Sequence, residues 1–448
     1  MSRDNEMRAL LEQTRFRMND RLQKLLLCFV VIGIIGFVAG LNGDRSYLAW
    51  QALLVNTMFF SGIALGGLAF SVIFTITGTK WGRPIKRLAE ALSAFMPIGA
   101  LLLCLLFFGA DHFFEWVKHD EVIHAKAGWL NFPFFVIRNV ALLGLFVAGS
   151  SYYLKNVIRP DIGLAAKLSK SGNPFADCFV KNYGSQEEEE ARAEKRARTL
   201  APLLALFFFL LSTLLAFDWM MSIDQEWFST MFGVQYAIAN LIGAAAVLMI
   251  VSGVARDKFQ LDEYITIDRY HDLAKLTFAF CALWTYLVFS QVLVIWYGNL
   301  PEETPYLILR MQSVEWGWMF WFIFILMFFI PFFGLMSRTA CNSIWFSRLI
   351  AVDVLVGVWL EKYFLIVPSI QENNASAGLI DASSGLPGFS PNFYDVSITL
   401  GVLGIFLLSY FWFLQRVPAV PISDPLFFRN PTDPPVVSLQ EGTTGARL

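Results

Sequence analysis

Cysteine, histidine and charge are all scarce in this chain. Its 448 residues include 5 cysteines and 4 histidines, and only 16% of them are charged. The cysteines stand alone, without the C-x-x-C, C-x-x-C-H or iron-sulfur spacings that hold zinc, haem c or clusters. No histidine lies near the middle of an apolar run, where a membrane-buried haem would need its axial ligands. We therefore expect this chain to bind no metal and no redox cofactor of its own.

One metal-binding alternative stays open in the link after the third apolar run. His112, Glu115 and His119 have the i, i+3, i+7 spacing of one helix face, with His124 within reach. Such a face suits a metal ion, although a solvated polar face is the commoner outcome for a link of this kind.

Long apolar runs dominate the chain instead. Hydrophobic residues make up 56% of it, and its mean hydropathy is +0.55. A span needs roughly 20 apolar residues, and this predicts an all-α integral membrane protein with ten transmembrane helices. The net charge of -2 gives no reason to expect a nucleic-acid partner. The predicted spans are 24–41, 50–78, 88–110, 132–154, 199–219, 228–253, 273–297, 316–336, 344–368 and 395–415.

Lysine and arginine alternate from link to link and predict an orientation. The even-numbered links and both tails hold 28 of the 34 basic residues, whereas the odd-numbered links hold only Arg45, Lys118, Lys126 and Arg310. By the positive-inside rule, the even-numbered links and both tails lie on the cytoplasmic side of the membrane.

A weak internal repeat predicts how the spans are grouped. Residues 87–95, RLAEALSAF, align with residues 272–280, DLAKLTFAF, at an offset of 185 that also aligns later spans. A parallel repeat of this kind implies a pseudo-twofold axis along the membrane normal. We expect two four-helix bundles, spans 2–5 and spans 6–9, flanked by spans 1 and 10. The predicted segments are an N-terminal cytoplasmic segment at 1–23, a flanking helix at 24–48, bundles at 49–226 and 227–368, an outer loop and flanking helix at 369–415, and a proline-rich cytoplasmic tail at 416–448.

Ionisable residues within spans are costly and usually mark a polar pocket, a pathway or a pair. Asp111, His112, Arg138 and Asp218 fall near the outer ends of three consecutive spans. Two readings stay open for these four residues. Arg138 pairs with a carboxylate and ties the helices together, or the four form a quinol pocket in which His112 or a carboxylate accepts the hydroxyl proton.

A second group of ionisable residues lies in span 9 and at the cytoplasmic rim. Asp353 is predicted near the membrane midplane, with Glu361 and Lys362 about two turns further out. These residues form either a proton relay or a static polar contact. At the cytoplasmic rim, the repeat places Glu90 and Lys275 at equivalent positions. They are a possible ion pair, with His271 beside them as a proton entry group.

Two long polar and aromatic strings carry a family resemblance. Residues 217–236, FDWMMSIDQEWFSTMFGVQY, and residues 289–307, FSQVLVIWYGNLPEETPYL, resemble the F subunit of bacterial alternative complex III, a quinol:cytochrome c or electron-acceptor oxidoreductase. Residues 130–138 and 272–280 resemble that family too. The resemblance spans roughly residues 20–415 and implies an NrfD/PsrC-like fold with two four-helix bundles and two flanking helices.

This resemblance also implies the partner subunits of the protein and the membrane in which it lies. In that family, the F subunit accompanies a C subunit of similar fold, an iron-sulfur subunit and haem c subunits in the bacterial cytoplasmic (inner) membrane. The haem c and iron-sulfur clusters belong to those partners, and quinol is a possible ligand. We expect a cofactor-free subunit that supports the membrane arm and conducts protons. The alternatives are a direct quinol-oxidising subunit and a proton-coupled secondary transporter.

Overall fold

The computed structural model describes residues 3–42, 46–118, 124–169, 179–337, 343–380, 383 and 385–424. This part of the chain is mainly helical and contains no β-strand. The helices are α1 (Arg3–Gln13), α2 (Asp20–Leu41), α3 (Ser46–Thr77), α4 (Arg83–His112), α5 (Phe132–Ser169), α6 (Gln186–Trp219), α7 (Met231–Phe259), α8 (Ile267–Gly298), α9 (Thr304–Met311), α10 (Gly317–Met336), α11 (Ile344–Ser376) and α12 (Phe393–Arg416).

The predicted all-helical membrane fold is confirmed. Within the described residues, nine helices are long and apolar enough to cross a membrane. The tenth expected span corresponds to α11, whose 33 residues extend about 50 Å at 1.5 Å per residue. It carries three ionisable residues, Asp353, Glu361 and Lys362, along its length.

Helices α3 and α7 form the centre of the molecule. About four-fifths of the most apolar stretch of each is buried, 83% for α3 and 78% for α7, against 22% for α2 and α8. Small residues allow the two central helices to approach closely, since a Cβ atom at Gly66 would meet the backbone of Asn240 and the side chain of Ala244. The helices with low burial present their apolar side chains outward, as lipid contact requires.

The helix pairs of the first half recur in the second half. Helices α3 and α7 begin 185 residues apart, as do α5 and α10. The contacts α3–α6 and α5–α6 are repeated as α7–α11 and α10–α11, and the cross-contacts α3–α11 and α7–α6 are reciprocal. Two bundles related by a twofold axis would give this pattern. The axis and the bundle boundaries themselves stay predictions.

Contacts between links define two opposite faces. On the face that holds α1, Gln13 Nε2 donates to the Phe259 carbonyl at 2.7 Å, Arg83 pairs with Asp424 at 2.6 Å, and Arg348 pairs with Asp257 at 2.6 Å. We call this the basic face. On the opposite face, Trp116 donates to the carbonyl of Ser222 at 3.1 Å. Even-numbered links and tails therefore contact one another on one face, and odd-numbered links contact one another on the other face, as the predicted alternation requires.

Candidate functional site

Three buried clusters of charged residues lie between the helices, and each is named by its buried carboxylate. The Asp218 cluster joins α5 to the end of α6 near the opposite face. The Glu361 cluster joins α7, α8 and α11 in the other half of the molecule. The Glu90 cluster joins α3, α4 and α5 near the basic face. All three carboxylates are at most 1% exposed, so their partners decide what each cluster does.

In the Asp218 cluster, the carboxylate has all the partners it can accept. Arg138 donates to it twice, at 2.6 and 2.8 Å, and Asn139 Nδ2 and Trp129 Nε1 donate at 2.7 and 3.2 Å. A carboxylate offers about four lone-pair sites, so Asp218 is saturated. The Arg138 guanidinium also donates to the Trp129 carbonyl at 2.8 Å and lies 4.1 Å from the centre of that ring. This arrangement fixes α5 against α6.

The other two residues of the expected quinol pocket have partners of their own. His112 Nδ1 lies 2.9 Å from Asp111 Oδ1, and His112 Nε2 lies 2.9 Å from the Ser46 hydroxyl. The Asp111 side chain is exposed, unlike Asp218. The structure therefore divides the four residues between two sets of hydrogen bonds, Asp111 with His112 and Arg138 with Asp218. Asp218 has no acceptor site left for a bond to His112.

The possible metal ligands are described only in part. His119 lies outside the described residues, as do the His124 side chain, Cys178 and Cys341. Among the residues that are described, no group of three histidine, cysteine, aspartate or glutamate side chains is placed to hold a metal ion.

The Glu361 cluster combines adjacent opposite charges with two amide side chains. Lys362 Nζ donates to Glu361 Oε2 at 2.8 Å, and both side chains are almost completely buried. Glu361 Oε1 accepts hydrogen bonds from Gln235 Nε2 at 3.0 Å and from Trp284 Nε1 at 2.6 Å. The Lys362 ammonium lies 4.5 Å from the centre of the Tyr236 ring, which partly replaces the water it has lost.

A chain of hydrogen bonds leads from this pair toward the opposite face. Gln291 Nε2 donates to Gln235 Oε1 at 2.7 Å, and the Ser229 hydroxyl donates to Gln291 Oε1 at 2.9 Å. Beside the chain lies a cavity of about 60 Å³, lined in part by Gln235, Gln291 and Glu361. Since one water needs roughly 10–15 Å³ of such space, the cavity has room for about four waters.

Arg310 lines the same cavity and was not among the residues expected from the sequence. It is 2% exposed, and its guanidinium donates to the Leu365 carbonyl at 3.0 Å and to the Ser369 hydroxyl at 2.9 Å. The guanidinium stacks 3.5 Å from the Tyr306 ring. Burial lowers the pKa of Arg310 and raises the pKa of Tyr306 to about 12. The predicted spans place Arg310 in a link between two helices, where an arginine is usually solvated.

Asp353 is half-buried on α11, eight residues before Glu361. At 1.5 Å per residue, this spacing separates the two positions by about 12 Å along the helix. The Asp353 Oδ2 atom is buried and has no hydrogen-bond partner among the described residues. A buried carboxyl oxygen without a hydrogen-bond partner is costly, which makes Asp353 a candidate for a functional rather than a structural role.

The Glu90 cluster corrects the expected pairing of Glu90 with Lys275. Glu90 binds Arg87 on its own helix, and Arg87 also binds Asp161 of α5. Lys275 instead pairs with Asp272 at 2.8 Å. In both cases a partner one helical turn away on the same helix is closer than the distant residue of the repeat. His271 lies beside Asp272, half-buried, on α8.

These observations define a class of protein: a multi-pass helical membrane protein that carries paired charges in its interior. The family comparison narrows this class. The chain belongs to the family described as "Polysulphide reductase, NrfD", which matches residues 40–372. Members of this family are membrane subunits of quinol-linked respiratory oxidoreductases and partner with iron-sulfur and other respiratory subunits. A comparison with curated proteins finds no match.

Proposed function

We propose that this chain is a cofactor-free integral subunit of a quinol:cytochrome c or electron-acceptor oxidoreductase of the alternative complex III type. In this role it scaffolds the membrane arm and conducts protons. Its partners are a C subunit of similar fold, an iron-sulfur subunit and haem c subunits, which hold the redox groups. The protein lies in the bacterial cytoplasmic membrane with its basic face and both termini in the cytoplasm. The NrfD match and the strings at 217–236 and 289–307 support this assignment.

One observation carries the proton-conducting role: the buried Glu361–Lys362 pair is connected toward the opposite face through Gln235 and Gln291. Amide side chains orient a carboxylate but carry protons poorly, so we propose that waters bound in the adjacent cavity carry the protons. Glu361 accepts and releases the proton, and Lys362 keeps the charge of the pair balanced in a low-dielectric setting. Asp353 is the next carboxyl group toward the basic face.

Direct quinol oxidation at the Asp218 cluster has less support. A quinol hydroxyl needs a carboxylate or imidazole with a free acceptor site. All sites of Asp218 are taken by Arg138, Asn139 and Trp129. Of the two alternatives, the Asp218 cluster therefore fits an ion pair that holds α5 and α6 together better than it fits a quinol pocket.

The proposal is tested by neutralising the two acidic residues of α11 in the assembled complex. In vesicles, Asp353→Asn and Glu361→Gln should each lower the number of protons released per quinol oxidised while quinol oxidation continues. Asp257→Asn is the matched control, because Asp257 is exposed on the basic face and pairs with Arg348. Unchanged proton release in both α11 variants would contradict conduction and leave a scaffold. Purification of the chain as a stable monomer without respiratory partners would contradict the assignment as a whole.

A further inference from the structure

A large cavity opens between α3, α4, α5 and α6 near the basic face. Its volume is about 490 Å³, enough for on the order of thirty waters. Glu187, Glu190 and Glu194 of α6 line one wall, with a spacing that places them on one helix face. Basic side chains line the cavity as well, and one of them, Arg198, pairs with Glu194 at 2.7 Å. The lining is therefore charged and polar, as a water-holding cavity requires. We call this space the basic-face cavity.

The chain segment after α12 closes one side of the basic-face cavity. The Ser423 backbone N–H donates to Asp161 Oδ1 at 2.7 Å, and Arg83 pairs with Asp424. Val420 and Ile422 of this segment are themselves buried. The wall is therefore fixed by an ion pair, a charge-assisted hydrogen bond and apolar packing.

A continuous series of hydrogen bonds leads from this cavity to Glu90. Lys86 and Thr75 line the cavity, and Lys86 Nζ donates to the Thr75 hydroxyl at 3.0 Å. The Thr75 hydroxyl lies 2.8 Å from the Tyr153 hydroxyl, which lies 3.2 Å from the Ser71 hydroxyl. The Thr75 and Tyr153 hydroxyls can also donate to the Ser71 carbonyl, at 2.9 and 3.3 Å, so each must rotate to pass a proton along the series. Ser71 then donates to Glu90 Oε1 at 2.8 Å.

The chemistry of these groups suits proton transfer. Each of the three hydroxyl groups both donates and accepts, so each can take a proton on one side and give one on the other. Arg87, by contrast, keeps its proton and only holds Asp161 and Glu90 in place. Tyr153 is 0% exposed, and its hydroxyl bridges the two hydroxyls of α3, which lie one turn apart.

We infer that Thr75, Tyr153 and Ser71 form a hydroxyl relay that passes protons between the basic-face cavity and Glu90. In one transfer, the Lys86 ammonium gives a proton to Thr75, Thr75 gives one to Tyr153, Tyr153 to Ser71, and Ser71 to the Glu90 carboxylate. One proton leaves Lys86 and one reaches Glu90, and a hydronium in the cavity then returns a proton to the Lys86 amine and becomes water. This inference rests on the proposed proton-conducting function and adds to it a proton path from the basic-face cavity as far as Glu90.

Removal of the Tyr153 hydroxyl is the first test. In the assembled complex in vesicles, Tyr153→Phe should slow proton uptake from the basic-face side at least about tenfold. Tyr410→Phe is the matched control, since Tyr410 is also buried and its hydroxyl has no hydrogen-bond partner among the described residues. Equal uptake rates in the two variants would overturn the relay.

Thr75 separates a relay from a merely structural role. Thr75→Ser keeps the hydroxyl and should retain uptake, whereas Thr75→Val keeps the shape, loses the hydroxyl and should reduce uptake as Tyr153→Phe does. The thermal unfolding midpoint of each variant shows whether a loss follows from unfolding. Retained uptake in Thr75→Val would overturn the relay. If Asp353→Asn and Glu361→Gln still block release in that case, the proposed function stands and only this entry is wrong.

Water access to the cavity is tested without any proton measurement. Ala197 lines the cavity, and Ala201 is buried one turn deeper on the same side of α6. With the natural cysteines replaced by alanine, Ala197→Cys should react with a membrane-impermeant cationic thiosulfonate at least about tenfold faster than Ala201→Cys. Equal reaction rates would overturn the water-filled entrance.

Discussion

The Asp218 and Glu361 clusters contain the same kinds of charge and differ in their surroundings. Arg138 and Asp218 lie on two different helices and meet through a two-pronged contact, with every acceptor site of the carboxylate in use. Glu361 and Lys362 are neighbours on one helix, and a cavity lies beside them. A saturated pair resists any change in protonation, because each partner would lose bonds that nothing replaces. A pair beside water can exchange a proton and keep its partners.

Removing one charge from the saturated pair should have the largest effect. Asp218→Ala leaves a buried guanidinium without its carboxylate, which costs about 3–5 kcal/mol of the free energy of unfolding. The unfolding midpoint of the purified complex measures this loss, with Asp257→Ala as the control at an exposed carboxylate. The double variant Arg138→Met, Asp218→Leu should recover most of the loss, since apolar residues of similar volume often replace a buried ion pair. A loss in Asp218→Ala no larger than that in Asp257→Ala would contradict the tying role.

The contrast between the clusters shows what a sequence can reveal here. Opposite charges near the outer ends of consecutive spans predict that Arg138 pairs with a carboxylate, Asp218 or Asp111, because an unpaired charge is poorly tolerated in lipid. Hydropathy locates the helices for the same reason. The beginnings of α3 and α7 and of α5 and α10 also agree with the offset of 185 found in the sequence.

Partners set by packing could not be read from the sequence. The expected pair of Glu90 with Lys275 is wrong because Arg87 lies one turn from Glu90, and a local contact needs no precise helix rotation. Tyr153 and Arg310 carry no spacing signal, since an isolated tyrosine in a span and an arginine in a link are common. Only the rotation of α5 and the position of α9 bring these two residues into polar clusters.

The ring beneath each buried arginine gives a second comparison, in alkaline solution. Arg310 stacks on Tyr306, whose pKa is raised to about 12 by burial, whereas Arg138 stacks on Trp129, which does not ionise. Above pH 10 an unfolded tyrosine loses its proton first, so the folded state binds more protons and stability falls as pH rises. By pH 12 this loss amounts to about 2–3 kcal/mol.

Tyr306→Phe should therefore remove that part of the alkaline destabilisation and leave stability between pH 6 and pH 8 nearly unchanged. The measurement is the unfolding midpoint as a function of pH for the variant and the parent protein. Parallel curves for the two proteins would show that Tyr306 ionises as easily in the folded state as in the unfolded chain.

The smallest expected effect on stability is the most direct test of the hydrogen-bond chain in the Glu361 cluster. Gln291→Leu removes the link between Ser229 and Gln235 but leaves Gln235 on Glu361. The unfolding free energy should fall by about 1 kcal/mol, and the number of protons released per quinol oxidised should fall as well. Ser290→Ala, which loses only a bond to the Leu287 carbonyl in the same helix, should leave proton release unchanged. If both variants release protons at the parent rate, the Glu361 cluster is a static contact like the Asp218 cluster, and the difference between them has no functional meaning.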